Sequence, residues 1–267
     1  MFCAIIILLI EQERIIEMIF YFSATGNSKY AAEYIAKEIG VDVVDIVKCI
    51  ENHDYSFDAD GETVGIVCPI YFQGLPKIVK KFLRKVQVEN YGHFFFAVTY
   101  GFFSGSLKAM IDEVKWPWLD IDAYYTIRMP DTWTPVFNLS NPKKVARKNR
   151  HAQIELEDVA QSIYEREHGD FTERKVPQSF AKLFHRMYPI AAKTSHLSVD
   201  EGQCIGCGLC EKRCPAHAIK MEDGHPVWVK DQCIMCLGCL HRCPKFAIQY
   251  GKSTKRHGQY RNPNTTI

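Results

Sequence analysis

Charge is nearly balanced along the 267 residues: 33 Lys and Arg stand against 31 Asp and Glu, a formal net of +2 at pH 7. A chain this close to neutral lacks the basic field that draws nucleic acid. Long apolar runs are missing too. The best of them, MFCAIIILLI at residues 1–10, falls well short of the ~20 residues that a membrane-spanning helix needs. It lacks the basic residues ahead and the small-residue cleavage site behind that mark a secretory signal, because Met1 leads straight into it and Glu11, Gln12 and Glu13 follow. Met18 reads as the natural start, and residues 1–17 as a loosely attached extension. Cysteine is scarce except in one segment. Only Cys3, Cys49 and Cys68 lie outside residues 204–243, where the other eight of eleven crowd. That distribution argues against a disulfide framework and points to metal in a reducing cytosol, with Cys3 and Cys49 as spare thiols.

What is present builds a core. Hydrophobic residues make up 47% and charged ones 24%, which excludes general disorder, and the length suits two domains. IIEMIFYF (15–22) reads as a strand that breaks into SATGNS before the helical KYAAEYIAKEI. Further strands are expected at 41–47, 63–72, 93–100 and 121–129, with helices at 76–86 and 106–114 and none convincing in 48–62. This alternation is α/β: five strands in an open parallel sheet with helices on both faces, binding ligands beyond the strands' carboxyl ends. A basic run at 142–151, read as a solvated face, leads into a long closing helix. In QSFAKLFHRMYPI, Phe180, Leu183, Phe184 and Met187 fall at i, i+3, i+4 and i+7, so residues 169–196 should be an amphipathic connector packed between two domains. Residues 251–267 are basic and polar and are expected to be disordered.

CIGCGLCEKRCPAHAI begins at Cys204 and CIMCLGCLHRCPKFAI at Cys233, 29 residues on, and the two agree at nine of sixteen positions. This is an internal duplication. Each half has the form C-x2-C-x2-C-x3-C-P, in which three thiolates wrap one 4Fe-4S cube and the fourth reaches the other cluster. Cys204, Cys207, Cys210 and Cys243 are assigned to one cluster, and Cys233, Cys236, Cys239 and Cys214 to the second. Zinc fits less well, since a third cysteine followed by C-P serves no purpose in a four-ligand site.

SATGNS (23–28) lies where a strand hands over to a helix, so unpaired N–H groups and the helix dipole favour an anion there. Ser23, Thr25 and Ser28 add hydroxyls, Gly26 permits close approach, and Asn27 or Ser28 begins the helix. The loop is neither G-x-G-x-x-G nor G-x-x-x-x-G-K-[ST], so neither a dinucleotide nor a triphosphate is implied. CPIYFQGLP (68–76) and TYGFFSGS (99–106) follow later strands at the same sheet edge. Their Tyr71, Phe72, Tyr100, Phe102 and Phe103 can stack on a flat ring, while Gly74, Gly101 and Gly105 let backbone amides reach its polar rim.

On these loops residues 18 to about 165 resemble flavodoxin. With YFSATGNS, P-x-Y-x-x-G-L-P, T-Y-G and the cysteine repeat together, residues 18–250 resemble the flavodoxin-ferredoxin fusion proteins of anaerobic bacteria and archaea. The resemblance implies a sheet order of 2-1-3-4-5, a flavodoxin-like FMN domain over 18–168 and an α+β two-cluster ferredoxin domain over 197–250. It implies FMN phosphate on Ser23, Thr25, Gly26, Asn27 and Ser28. The ring then lies near Tyr71, Phe72, Tyr100, Gly101 and Phe102, with Pro69, Gly74 and Thr99 in the same loops counted as cofactor-binding.

FMN exchanges one or two electrons and a cluster only one, so one chain holding both can couple the two kinds of donor and acceptor. The expected function is electron transfer to or from partner redox proteins in the cytoplasm, without nucleic acid or a membrane span. The alternative is a flavin-dependent reductase of a small substrate, although His93, Cys68 and Asp131 near the loop edge read as structural. The segment 198–250 balances six acidic against six basic side chains, so its charge is set by its clusters and favours basic partners. Partner identity, potentials and oligomeric state are not legible.

Overall fold

The computed structural model describes residues 18–267. The expectations for residues 1–17, Cys3 among them, lie outside the described residues. β1 (Met18–Tyr21) passes through a short loop into α1 (Asn27–Ile39), which stops where Gly40 turns left-handed at φ 80°. β2 (Asp42–Asp45) is shorter than expected because the Asp45 carboxylate accepts the Val47 N–H at 2.8 Å and caps α2 (Ile46–Asn52). The second crossover therefore does hold a helix. It was hidden because its first residues, Ile46 and Val47, are β-branched and continue the strand pattern.

β3 (Ser56–Asp58), β4 (Thr63–Pro69), α3 (Lys77–Leu83), β5 (Gln87–Glu89), β6 (His93–Tyr100), α4 (Leu107–Asp112), β7 (Ala123–Arg128), α5 (Pro142–Tyr164) and β8 (Gly169–Phe171) complete the first unit. Its sheet is all parallel in the order β2-β1-β4-β6-β7-β8, and β3 and β5 form a small parallel pair of their own. Five strands stand in the expected order. The sixth, β8, corrects both the strand count and the domain boundary at 168, since three residues are too few to display a strand period. The basic run is the exposed start of α5, whose cap is Asn141 accepting from Lys144 N at 3.1 Å.

β6 is buried along its whole length and feeds both faces. Phe94, Phe96 and Val98 pack with Ile66, Phe82 and Ile111, whereas Phe95 and Ala97 pack with Val67, Ile35 and Leu156. Each buried phenylalanine contributes ~1.5–3 kcal/mol. Gly65 is required by this packing, since a Cβ there would sit 2.1 Å from the Phe95 ring.

α6 (Gln178–His185) and α7 (Tyr188–Ala191) lead to the second unit. The expected interdomain face does not bury: Phe180, Leu183 and Met187 are 46%, 63% and 52% exposed. Tyr188, which lies outside that stripe, is buried and donates its hydroxyl to Ile234 O at 2.7 Å. The apolar stripe has the helical period, but it meets an open cleft instead of a second core.

β9 (Leu197–Val199), α8 (Leu209–Lys212), β10 (Ile219–Glu222), β11 (His225–Trp228), α9 (Gly238–Arg242) and β12 (Ile248–Tyr250) form the cysteine-rich unit, with β9 against β12 and β10 against β11, both antiparallel. The duplication reappears as geometry: α8 and α9 begin 29 residues apart, as do β10 and β12. So do the left-handed residues Gly206 and Met235, Gly208 and Leu237, and His217 and Phe246. The tail is ordered, correcting the expectation of disorder. α10 (Thr254–His257) is followed by Tyr260 and Asn262, 5% and 4% exposed. Polar side chains there find polar partners, which a rule based on hydrophobic content cannot see.

Candidate functional site

Loops after β1, β4, β6 and β7 meet at the carboxyl edge of the sheet and, with α6 and the cysteine-rich unit, enclose a cleft of about 680 Å³. Ser23, Thr25, Asn27 and Ser28 line it from the first loop, Pro69, Tyr71 and Phe72 from the second, and Thr99, Tyr100, Gly101, Phe102 and Phe103 from the third. Gly26 and Gly74 are not among the lining residues. Gly26, at φ 94°, faces residues 262–267, and a Cβ on Gly74 would lie 2.4 Å from the His185 ring. Both glycines serve chain packing. Gly105 likewise bridges to Lys175.

The loop's donors are held in place from within. Gly26 N donates to Ser23 Oγ at 3.1 Å, and Ser28 Oγ stands 2.7 Å from Thr99 Oγ1. The main-chain N–H groups of Asn27, Ser28 and Lys29 open α1 and have no partner within the helix. The Asn27 amide is spent on protein: Nδ2 donates to Pro130 O at 3.2 Å and Oδ1 accepts from Tyr260 and Asn262. An anion at this loop would therefore meet the backbone of Asn27 and not its side chain. Opposite, the wall is aromatic, with Phe184 stacked on Phe72 at 5.7 Å and Trp133 edge-on to Phe72 at 5.5 Å.

Of the loop after β7, the sequence singles out only Asp131, and as a structural residue. Pro130, Asp131, Thr132 and Trp133 all line the cleft, and their signal was available: MPDTWTP follows a parallel strand at the ligand-bearing edge. Burial raises the Asp131 carboxyl above its usual range, opposed by the Trp133 N–H, which it accepts at 2.9 Å, and by Lys148. Of the three edge residues considered, only Asp131 reaches the cleft. His93 begins β6 at the opposite edge, its Nε2 3.1 Å from Glu167 O, and Cys68 points into the core with its thiol pushed up by burial.

The eight clustered cysteines fall into two groups. Cys214, Cys233, Cys236 and Cys239 share one cavity; Cys204, Cys207, Cys210 and Cys243 share another. N–H groups already point at sulfur in both: Ala218 N lies 3.4 Å from Cys214 Sγ, Ala247 N 3.3 Å from Cys243 Sγ and Met235 N 3.2 Å from Cys233 Sγ. Burial raises the thiols, Cys210 to about 11 and Cys236 to about 12, so protons must leave before either sulfur binds metal.

A family model described as a flavodoxin domain matches residues 18–115, and one described as a 4Fe-4S dicluster domain matches residues 196–244. The chain joins a flavodoxin domain to a 4Fe-4S dicluster domain. The first implies FMN and the second 4Fe-4S, which makes this an iron-sulfur flavoprotein of electron transfer. No curated protein matches the chain. Among solved structures, rubredoxin:oxygen oxidoreductase from Desulfovibrio gigas is 14% identical, with 55% of this chain and 36% of that one covered and a TM-score of 0.31. A short-chain flavodoxin associated with a bacterial microcompartment is 14% identical over 54% of this chain and 97% of its own, with a TM-score of 0.32. A flavone reductase is also 14% identical, covering 80% of this chain and 81% of its own, with a TM-score of 0.32. Among the described residues no helix is long and apolar enough to cross a membrane.

The residues present fit both groups. Hydroxyls and free helical N–H groups at one end of the cleft, aromatics along its sides and the unpartnered buried Gln73 Oε1 among its lining residues match a phosphate, a flat ring and a polar ring edge. Thiol donors in sets of four match iron-sulfur.

Proposed function

We propose that this chain carries one FMN and two 4Fe-4S clusters and couples two-electron to one-electron transfer between partner redox proteins. The observation that carries the reading is a shared wall: Met235, Cys236 and Leu237 of the dicluster domain line the same cleft as Ser23, Thr25 and Tyr100 of the flavodoxin domain. Bound there, FMN would supply the exchange of electrons singly or in pairs. The N–H groups of Asn27, Ser28 and Lys29 and the hydroxyls of Ser23, Thr25 and Ser28 would hold the phosphate. Tyr71, Phe72, Tyr100 and Phe102 would flank the ring. Tyr71 packs in the same apolar cluster as Cys236 and Ile234 and would keep water out from between the flavin and the cluster that Cys236 would hold.

Cys214, Cys233, Cys236 and Cys239 then hold the cluster beside the flavin, and Cys204, Cys207, Cys210 and Cys243 the outer one, where Cys207 is exposed. Partners dock on that outer face. Protein purified without oxygen should contain about eight irons, eight acid-labile sulfides and one FMN per chain. Absence of flavin after incubation with FMN would remove the coupling reading. A second reading, reduction of a small substrate on the flavin, draws on the exposed apolar wall of Phe180, Phe184, Met187 and Ile190 along the cleft. Turnover of such a compound with a reduced donor would favour it, whereas reduction of added ferredoxins or cytochromes alone favours the carrier.

A further inference from the structure

The C-terminal segment grips the outer side of the phosphate loop. Asn262 N donates to Thr25 O at 2.8 Å, and Asn262 Nδ2 to Asn27 Oδ1 at 3.1 Å. Tyr260 Oη lies 2.9 Å from the same Asn27 Oδ1 and 3.0 Å from Asn149 Oδ1. A Cβ on Gly26 would meet Asn262 at 2.9 Å and Thr265 at 3.1 Å, so this face of the loop has no spare room. Lys29 Nζ donates to Thr266 O at 2.7 Å.

The same segment is tied to the dicluster domain. Tyr260 N donates to His241 Nδ1 at 3.1 Å, while His241 Nε2 stands 2.9 Å from Thr132 O. With Nδ1 accepting, the imidazole carries its proton on Nε2 and donates it to Thr132. Gln259 Nε2 reaches Leu240 O and Cys243 O at 2.6 and 2.8 Å.

We infer that Tyr260 and Asn262 are positioning residues of the FMN phosphate loop and set the preference for FMN over riboflavin, an inference that rests on the FMN reading. Their contacts preorganise the loop. A phosphate bound by main-chain N–H groups gains affinity only if those groups already converge, and freezing a six-residue loop during binding would cost conformational entropy. The Asn27 side chain is the handle. Its Oδ1 accepts from Asn262 Nδ2 and shares the single Tyr260 hydroxyl proton with Asn149 Oδ1, and one proton of its Nδ2 goes to Pro130 O, which fixes the peptide whose N–H opens α1. Thr25 O is pinned in the same way. These contacts lie on the face of the loop away from the cleft, so they touch no part of the ligand and can act only through the loop. The isoalloxazine ring, which FMN and riboflavin share, is held by other residues.

The test uses the full chain with its flavin removed, titrated with FMN and separately with riboflavin under anoxic conditions and read by flavin fluorescence. Tyr260→Phe and Asn262→Ala should each weaken FMN roughly tenfold, as expected for loss of a buried hydrogen bond in the loop. Riboflavin affinity and iron content should be unchanged, so the FMN-to-riboflavin ratio falls about tenfold. Tyr164→Phe, an exposed tyrosine, should leave the ratio alone. Unchanged FMN affinity, or equal weakening of both flavins, overturns the inference while leaving the FMN reading intact. Failure of the unaltered chain to take up FMN overturns both.

Discussion

Ile205 and Ile234 occupy the same place in the two halves of the cysteine repeat, yet Ile205 is 59% exposed and Ile234 is buried against the flavodoxin domain. The contrast extends to their neighbours. Gly206 and Gly208 adopt left-handed backbone at no cost, whereas Met235 and Leu237 adopt it with side chains, at φ 53° each, and turn those side chains to the cleft. Two near-copies of one loop thus face different solvents, one water and the other protein. The repeat gives both sets of thiols the same local backbone, while the surroundings decide which set meets the cleft.

The strongest way to break this comparison is to empty one half of metal. Cys214→Ala should abolish the cluster of Cys233, Cys236 and Cys239 and leave the outer one, taking iron from about eight to about four per chain. Cys243→Ala should do the converse. Loss of the Cys204 cluster from the Cys214 variant would refute the crossed assignment. A packing contrast comes next. Ile234→Ala removes buried methyl groups and should cost ~2–4 kcal/mol, whereas Ile205→Ala should cost under about 0.5 kcal/mol. Denaturant unfolding followed by loss of cluster absorbance compares the two, and equal effects would contradict the buried placement of the second half.

The smallest effect concerns another matched pair. Arg242 donates to Ser23 O at 3.1 Å, on the phosphate loop, while its equivalent Arg213 is exposed. Arg242→Ala should weaken FMN by about fivefold, near 1 kcal/mol for a partly exposed charged hydrogen bond, and Arg213→Ala should not change it. Titration of both variants with FMN decides the matter.

Much of this arrangement was readable in advance, for reasons that differ by element. β4 and β6 were legible because buried parallel strands are continuous apolar runs, and the dicluster domain because its cysteines recur at one spacing. α2 was not, since Ile46 and Val47 suit a strand and only the Asp45 cap turns them. β8 was too short to show a period. The loop at Pro130–Trp133 went unread as part of the site because nothing in its residue types marks a ligand; its place at the edge of the sheet does.

The sequence by itself determined the chemistry: which residues can bind iron, where an anion finds unpaired N–H groups, and that two redox units lie on one chain. Those features are local, set by covalent spacing and by the ends of helices. Tertiary structure alone decided which half of the repeat adjoins the cleft, that the stripe of α6 lines it, and that Tyr260 and Asn262 return across more than 230 residues to grip Asn27. Such contacts depend on shape complementarity between distant surfaces and on hydrogen bonds between polar side chains, and neither leaves a period or a motif in the order of the residues.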